Sequence, residues 1–529
     1  MNRKTLVLPA VAGLLAPVLV ACGGSGGSGK HDAIVIGTTD RFEETEDAPA
    51  PFDPAAAYDI AAWNVIHSTF QTLLRLPRSG TDPVPDAATK CGFVDRNSEQ
   101  FRCTLRSGMK FSSGRPVTVK DVKFSIERVL AINFDNGPAS LLENIDRVET
   151  PNDHEVVFQL KTPDATFPQK LATPAAAIVD SGAYDKNKLN KGFEAVGSGP
   201  YKLKTEEQDG RVVKAVLSKN SDYKGAVKPQ SDIEMRFYDD SQAMEKALKD
   251  GDIDVMNRTL EPEQIGRLGN ASGKGVKLTE STGQEIGYLA FNTDDPAVKP
   301  KAVRQAIAQL VDRQALTRDG YDRTADPLYS MVPSGIAGHQ NSFSNQYQDP
   351  SADKARALLR SAGVSTPVKF TIAYSASHYG QAQAKAYKAL QKQLNSTGLF
   401  NVQLQDVKWS QYRAQTAKGM FPAYGMGWFP DFPDPDNFIA PFFGKDNFQH
   451  SPYRNAKLEA LIPQSRQLAQ RDAAAKIFQQ AQDIVADEVP VLPLWQGKQY
   501  IATRDNITGA EWALNGGSEL QPWELGRGA

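Results

Sequence analysis

The apolar residues of this chain follow two periods. Residues 33–37 and 100–105 carry short apolar or alternating runs typical of strands, whereas residues 63–76 space apolar side chains as on one helix face. A helix is also predicted to start after Thr118, where Asp121 completes an acidic version of the capping box. The chain is therefore predicted to be an α/β protein from its first elements.

The same mixture continues towards the C-terminus. Further strands are predicted at residues 155–160 and 211–217, and further helices at residues 241–250, 302–316, 351–362 and 458–488, the last cut by Pro463. Strands and helices interleave without a fixed repeat, which favours α/β domains over a solenoid, barrel or bundle. The roughly 500 residues that follow residue 30 exceed one hydrophobic core, so two or three domains are expected.

The N-terminus has the layout of a secretory signal. Arg3 and Lys4 precede a nearly uncharged apolar stretch of about 15 residues, shorter than the ~20 needed to cross a membrane. The stretch ends in Leu-Val-Ala before Cys22, which resembles the lipobox of bacterial lipoproteins. Residues 1–21 are thus predicted to be a signal peptide, and residues 22–30 a lipidated cysteine with a flexible Gly/Ser tether.

Charge and histidine placement exclude several classes. The formal net charge is −2, or −4 without Arg3 and Lys4, so no basic field exists to hold nucleic acid. The six histidines are scattered singly, so neither a metal site nor another cofactor is predicted. The chain also lacks a phosphate-binding loop with Gly-Lys-Ser/Thr, so it is not predicted to hydrolyse a nucleotide, and any ATP-driven step would require a separate ATPase.

Two cysteines remain beyond Cys22. Cys91 and Cys103 flank a segment with turn residues, and in an exported protein this pair predicts a disulfide that closes a hairpin. The alternative is two unlinked thiols.

Catalytic motifs are weak, and the protein is predicted not to be an enzyme. The Gly-x-Ser-x-Gly match at residues 23–27 lies in the tether, without a strand before it or a helix after it. The Ser-x-x-Lys match at residues 107–110 follows a strand-like run and has no partner motifs. Carboxylates are plentiful, so a glycosidase-like pair stays open, although no pair stands out.

Residues 101–130 combine a strand, a basic turn, an aromatic-x-x-Gly-x-Pro loop and a capped helix. This segment resembles the signature of solute-binding protein family 5, the oligopeptide-, dipeptide- and nickel-binding lipoproteins of ABC importers. Further motifs of that family follow in order, at residues 52–54, 196–201, 247–254, 291–293, 303–307, 355–363, 428–438 and 490–494. The resemblance covers essentially the whole mature chain.

The resemblance implies a two-lobed fold of the periplasmic-binding-protein type, class II, with an extra inserted α/β domain and a hinged ligand cleft. The implied parts are lobe I at residues 31–62, 195–283 and 498–529, the inserted domain at 63–194, and lobe II at 284–497. A monomer is expected, lipid-anchored on the extracytoplasmic face of the cell membrane. It would capture a peptide by lobe closure and deliver it to ABC permease subunits.

The resemblance also points to residues 427–438 as the ligand-binding segment. In the family's peptide binders, an aspartate three residues after the Gly-Trp tryptophan pairs with the ligand's ammonium, and that position is Asp431. The backbones of Gly427 and Phe429 would add the ligand as an extra strand, and Trp428 would line a side-chain pocket. Asp434 and Asp436 are rivals, and all three aspartates can alternatively be turn formers beside prolines.

Weaker expectations concern three more residues. Tyr58 and Trp63 occupy the family's other ligand-facing stretch, and Trp409 lies near its second-lobe cleft wall. For both tryptophans, packing in a core is an equally open reading. The ligand itself also stays open: a second hypothesis keeps the fold but changes the ligand to an oligosaccharide, metal chelate or siderophore-like solute. An exported hydrolase and a sensing receptor are further alternatives.

Overall fold

The computed structural model describes residues 33–46, 48–258, 260–271, 273, 275–445 and 447–528. The elements up to residue 219 are β1 (Ile34–Thr38), α1 (Ile60–Thr69), β2 (Leu74–Arg75), β3 (Val84–Pro85), β4 (Ala88–Phe93), β5 (Gln100–Leu105), α2 (Val119–Ile132), β6 (Ile145–Asn152), β7 (Glu155–Leu160), α3 (Phe167–Lys170), β8 (Tyr201–Gln208) and β9 (Arg211–Lys219). The next are β10 (Ile233–Phe237), α4 (Ser241–Asp250), β11 (Val255–Met256), α5 (Pro262–Asn270), β12 (Val276–Phe291), α6 (Lys301–Leu310), α7 (Arg313–Tyr321), β13 (Ala325–Pro327), α8 (Ser342–Tyr347), α9 (Ala352–Ser361), β14 (Val368–Tyr374) and α10 (Ala376–Asn395). The last are β15 (Phe400–Asp406), α11 (Trp409–Ala417), β16 (Ala423–Trp428), α12 (Asp436–Phe443), α13 (Ala456–Arg466), α14 (Ala475–Glu488), β17 (Val491–Arg504), β18 (Ile507–Thr508) and β19 (Gly526–Arg527).

One mixed sheet of eleven strands runs through the molecule in the order β15-β14-β16-β12-β17-β11-β1-β10-β9-β8, with β13 paired to β17. The long antiparallel strands β12 and β17 belong to both halves of this sheet, and their pairing is interrupted between Thr282 and Ile286. A separate antiparallel sheet has the order β4-β5-β7-β6. Two strands that pass from one half to the other are a natural place for a hinge.

The buried apolar side chains separate into distinct clusters. The largest is built from residues 286–495 and a second from residues 55–184 together with Phe432. Two smaller clusters surround β1, on its two faces. The fold is two-lobed α/β, as predicted, with a further α/β body around the four-stranded sheet; the residue boundaries of these parts stay a prediction.

Several local predictions are confirmed. β1, β5, β7 and α4 lie where the pattern placed them, and α2 begins with the expected box, in which the Thr118 backbone N–H donates to Asp121 Oδ2 (2.9 Å). Cys91 and Cys103 face each other across β4 and β5 and are bonded. In the described part of the chain, the model has no helix whose length and apolarity suffice to span a membrane.

Three predicted helices were wrong in extent. The helix expected at 63–76 runs instead over α1, where Asp59 accepts from the Ala62 N–H (2.9 Å) and starts the helix earlier. The helix expected at 302–316 is two helices, because Asp312 accepts from the Ala315 N–H (3.0 Å) and caps a second one. Pro463 lies inside α13, and the break in 458–488 comes at residues 467–474.

Candidate functional site

The predicted site lies on the loop between β16 and α12. Asp431 is partly exposed there, and its backbone N–H donates to Asn437 Oδ1 (2.8 Å). Asn437 Nδ2 donates in return to Asp431 Oδ2 (3.0 Å). This reciprocal pair fixes the direction of the Asp431 carboxylate.

A second partner of Asp431 comes from the segment before α1. The Tyr58 hydroxyl donates to the Asp431 carboxylate, and burial together with this negative charge raises the pKa of Tyr58 well above its ordinary value. Burial raises the pKa of Asp431 to about 6, although the bonds from Asn437 and Tyr58 act to lower it. Within the described residues Asp431 forms no ion pair, and the nearby Lys170 is bound to Asp164 (2.7 Å). A half-buried carboxylate with only neutral partners is a ready acceptor for a cation.

The two rival aspartates are differently placed. Asp434 receives Nε and Nη2 of Arg471 at 2.6 and 2.8 Å, and Asp436 receives Nε and Nη2 of Arg466 at 2.9 and 2.8 Å. Both carboxylates are buried. These bidentate pairs saturate Asp434 and Asp436, so the two residues hold the loop in place.

The loop is also anchored by an apolar contact. Phe432 is 2% exposed and packs into the cluster formed by residues 55–184, although Trp428 and Phe438, on either side of it in the chain, belong to the cluster built from residues 286–495. The side chain next to Asp431 therefore joins two bodies of the molecule.

Among the residues that the structure describes, no neighbouring strand covers one edge of β16 beyond Tyr424. β14 pairs with β16 only at Ala423 and Tyr424, and the Tyr412 hydroxyl lies 2.8 Å from the Gly425 carbonyl on that edge. Backbone groups two residues apart in a strand face the same edge, so Gly427 and Phe429 face it as well. The Gly427 N–H there meets the hydroxyl of Tyr379.

Aromatic rings form one wall beside this edge. Trp428 is 8% exposed, and its ring centroid lies 5.5 Å from Phe442 and 5.9 Å from Phe448. Phe448 is 45% exposed and also lies 6.3 Å from Tyr58. Trp428 and Tyr58 thus meet through Phe448.

A second group of rings, around Trp409, lies near two positively charged arginines. Trp409 stacks on His378 with ring centroids 3.7 Å apart and lies edge-on to Tyr379 at 5.6 Å. Burial, followed by the positive charges of Arg258 and Arg413, lowers the pKa of His378 to about 4. His378 is therefore neutral at pH 7, within a positive field.

Trp63, another residue predicted to contact the ligand, is buried. Trp63 is 4% exposed, donates from Nε1 to the Ala57 carbonyl (3.0 Å) and supports Tyr58 from behind at 5.6 Å. Its direct contact with a ligand stays a prediction, and Cys22 lies outside the described residues. No cluster of three or more His, Cys, Asp or Glu side chains suited to a metal occurs among the residues that the structure describes.

A cavity of about 240 Å³ adjoins Asp431. Residues 76–81, 430–433, 514–517 and Glu519 form most of its lining. Glu519, which is part of this lining, adds negative charge near Asp431. The partners of Glu519 itself are His67 (3.4 Å) and Asn515 (2.6 Å).

Sequence reasoning missed several polar residues of this cleft. Arg258, His378 and Arg413 come from three separate segments in which the sequence showed no motif. Asn437 ends the Asp-Pro-Asp-Asn run inside the ligand-binding segment predicted at residues 427–438, but its side chain was not singled out.

This two-lobed architecture, with a hinged pair of strands and a polar cleft, defines a solute-binding protein. Residues 82–450 match the model of the bacterial extracellular solute-binding proteins, family 5. The chain belongs to that family.

Characterised relatives are similar over most of their length. The probable D,D-dipeptide-binding periplasmic protein of Escherichia coli K12 is 26% identical over 87% of this chain and 89% of its own. The oligopeptide-binding protein of Bacillus subtilis 168 is 25% identical, covering 93% of this chain and 94% of its own. The glutathione-binding protein of Salmonella paratyphi A is 28% identical, with 86% and 89% covered.

Solved structures share the fold. An ABC transporter-associated periplasmic binding protein of Helicobacter pylori in complex with the peptide STSA superposes with a TM-score of 0.77 at 21% identity, covering 94% of this chain and 98% of its own. The unliganded open form of a periplasmic murein tripeptide-binding protein superposes with a TM-score of 0.75 at 22% identity, covering 94% and 98%.

Proposed function

We propose that this protein is the lipid-anchored substrate-binding component of an ABC importer, that its solute is a peptide, and that it is not an enzyme. The observation that carries the proposal is Asp431, a cleft carboxylate whose partners Tyr58 and Asn437 are both neutral. A peptide's α-ammonium supplies the missing positive charge, and a hydrogen bond to a charged group contributes about 1.5 to 3 kcal/mol.

The other features of a free peptide have counterparts in the same cleft. Its amide backbone extends as an added strand along the edge of β16 that β14 leaves unpaired beyond Tyr424, at Gly427 and Phe429, where it replaces Tyr379 as the partner of the Gly427 N–H. Its carboxylate lies towards Arg258 and Arg413, whose charges already act on His378. The ligand is thus read as a zwitterion, with its positive end at Asp431.

Closure of the two lobes completes the site. Tyr58 and Asp431 lie in different predicted lobes, so their bond forms only when the lobes approach. In the closed form the ligand is removed from water, and that form docks on the permease. The relatives named for dipeptide, oligopeptide and glutathione binding support a peptide ligand, and the sequence before residue 31 supports a lipid anchor at Cys22.

Thermal unfolding of the full chain in mild detergent tests the ligand class. A ligand that binds the folded state raises the unfolding midpoint by mass action. We expect a rise with some di- to hexapeptides, and its loss when the peptide's amino terminus is acetylated. A rise with sugars or metal chelates alone would overturn the peptide assignment and keep the fold.

Two further experiments address the anchor and the transport role. Replacement Cys22→Ala is expected to release the protein from membranes, and continued membrane retention would refute lipidation at this residue. Growth on the bound peptide as sole nitrogen source is expected to require the gene; growth without it would favour a sensing role. Peptide cleavage products in the binding assay would instead indicate a hydrolase.

A further inference from the structure

Glu285 is a second carboxylate in the cleft with an unusual setting. It lies in β12 within the interruption between Thr282 and Ile286. A Cβ placed on Gly427 would come within 3.3 Å of Glu285 Oε1, and one placed on Gly497 within 3.1 Å of Oε2. Two glycines on the flanking strands β16 and β17 therefore leave the space that the carboxylate occupies.

The carboxylate has no cation bound to it. Within the described residues, Glu285 makes no ion pair and no hydrogen bond, and Arg258 bears on it only from a distance. Arg258 Nε is held by Asp40 Oδ1 at 3.2 Å instead. Burial raises the pKa of Glu285 to about 8 despite Arg258. A carboxylate left in this way in a low-dielectric site is costly to the protein unless a partner arrives.

The walls around Glu285 are aromatic. Cε1 of Tyr379 would lie 2.9 Å from the same Cβ on Gly427, and Tyr321 packs against Trp495 with centroids 4.7 Å apart. The negative charge of Glu285 acts on both tyrosines, whose pKa values are raised mainly by burial. Neutral aromatic rings beside a carboxylate favour an incoming cation over an anion.

Glu285 lies at the same end of β16 as the proposed ammonium site. The β12–β16 register ends with Ile286 paired to Trp428, so Glu285 adjoins the last paired residue of β12, and Asp431 is three residues beyond the last paired residue of β16. The short distance from the Gly427 Cβ position to Glu285 Oε1 also places this carboxylate beside the end of β16. A tripeptide whose amino terminus is at Asp431 extends for about 10 Å, so a lysine or arginine side chain from one of its residues reaches Glu285.

We infer that Glu285 is a subsite for a cationic ligand side chain, so that the receptor selects peptides carrying lysine, ornithine or arginine. This inference rests on the proposed peptide-binding function and names a preference within it. The two carboxylates have different roles: Asp431 binds the main-chain ammonium, and Glu285 binds the positive charge of the side chain.

Calorimetric titration of the full chain tests this with three pairs of tripeptides. Each pair is an alanine tripeptide with lysine at position one, two or three, and the same peptide with Nε-acetyl-lysine. We expect the free lysine to bind at least about tenfold more tightly than its acetylated partner at one position, since the bond is charge-assisted. Replacement Glu285→Gln is expected to bring that ratio close to one.

Replacement Glu280→Gln is the matched control. Glu280 lies on the same strand and faces solvent, where it contacts Lys498 (3.2 Å) and the Tyr500 hydroxyl (2.8 Å). The control should keep the full preference for free lysine. A preference that survives in Glu285→Gln, or is absent from the unmodified protein at all three positions, would overturn the inference.

Proton release gives an independent readout. The groups that bear on Glu285 are Arg258, Tyr321 and Tyr379, and Glu285 is the one among them that titrates near neutral pH. Titrations at pH 7.5 in buffers of different ionisation enthalpy should show more proton release with free lysine than with its acetylated partner. Equal release in the unmodified protein would contradict the inference.

The outcomes for the two proposals differ. If acetyl-lysine peptides bind and their affinity needs a free amino terminus, the peptide receptor stands whatever Glu285 does. If no peptide of either kind binds, both the proposed function and the lysine subsite are wrong.

Discussion

The carboxylates at the two ends of the loop that follows β16 have opposite surroundings. At one end, Asp434 and Asp436 are buried and each is held by two nitrogens of an arginine, Arg471 and Arg466. At the other end, three residues earlier, Asp431 has only the amide of Asn437 and the phenol of Tyr58. The same residue type is therefore structural at one end and available at the other.

The difference shows how a binding charge can be recognised. A buried carboxylate that serves stability has its cation in the protein, as Asp53 has in Arg128 (2.6 Å). A carboxylate that binds a ligand has no cation of the protein beside it, and the loss of stability that results is offset by the rest of the fold. Asp431 and Glu285 meet this second description within the described residues, and both lie in the cleft.

The largest expected effect is on the free energy of unfolding, when a structural carboxylate of the loop is removed. Replacement Asp434→Asn leaves Arg471 buried without its counter-ion, which should destabilise the protein by about 3 to 5 kcal/mol. Urea unfolding of the unliganded protein measures this. Asp431→Asn should be neutral or stabilising in the same assay, because it removes an unpaired charge; equal losses from both would contradict the comparison.

The next effect concerns the binding end. Asp431→Asn should weaken peptide binding roughly 10- to 100-fold, the equivalent of one charge-assisted hydrogen bond. Calorimetry measures the affinity, and Asp319→Asn serves as the control because Asp319 pairs with Arg318 on the surface (2.7 Å). Unchanged affinity in Asp431→Asn would remove this residue from the site.

A third prediction uses the raised pKa of Asp431. The protonated form is favoured in the folded state, so this group stabilises the unliganded protein fully below about pH 4 and that contribution is lost as the pH rises through about 6. Ammonium binding needs the ionised form, so affinity should fall up to tenfold per pH unit below about 6. Binding titrations from pH 5 to 8 measure the affinity, and urea unfolding between about pH 4 and pH 7 measures the stability. Asp431→Asn should flatten the part of each profile that is due to this residue.

The smallest effect is expected at the positive end of the cleft. Arg413 is exposed, so Arg413→Gln should weaken binding of a free-carboxylate peptide by no more than about fivefold. The same peptide with an amidated carboxyl terminus should bind both proteins equally. A larger loss for the amidated peptide would place Arg413 outside the role of carboxylate partner.

Much of the local structure followed from short-range patterns. The alternation in β1 and the Thr118–Asp121 box of α2 depend on neighbours within a few residues, so the sequence predicts them. The break between α6 and α7 was missed, because a mid-helix aspartate such as Asp312 is compatible with one long helix or with a new cap. Pro463 misled in the other direction, since α13 continues through it.

The sequence by itself determined the family and the α/β architecture, and it correctly predicted the bond between Cys91 and Cys103. It also made Asp431 the leading candidate for the site, a role that stays a prediction. It did not separate Asp431 from Asp434 and Asp436 by chemistry, because a carboxylate's role depends on what lies within about 4 Å of it. Only the tertiary structure decided that. It places Arg466 beside Asp436, 30 positions away in the sequence, and Arg471 beside Asp434, 37 positions away. It likewise assembled Glu285, Gly427 and Gly497 from three strands, a contact that no single segment of the chain encodes.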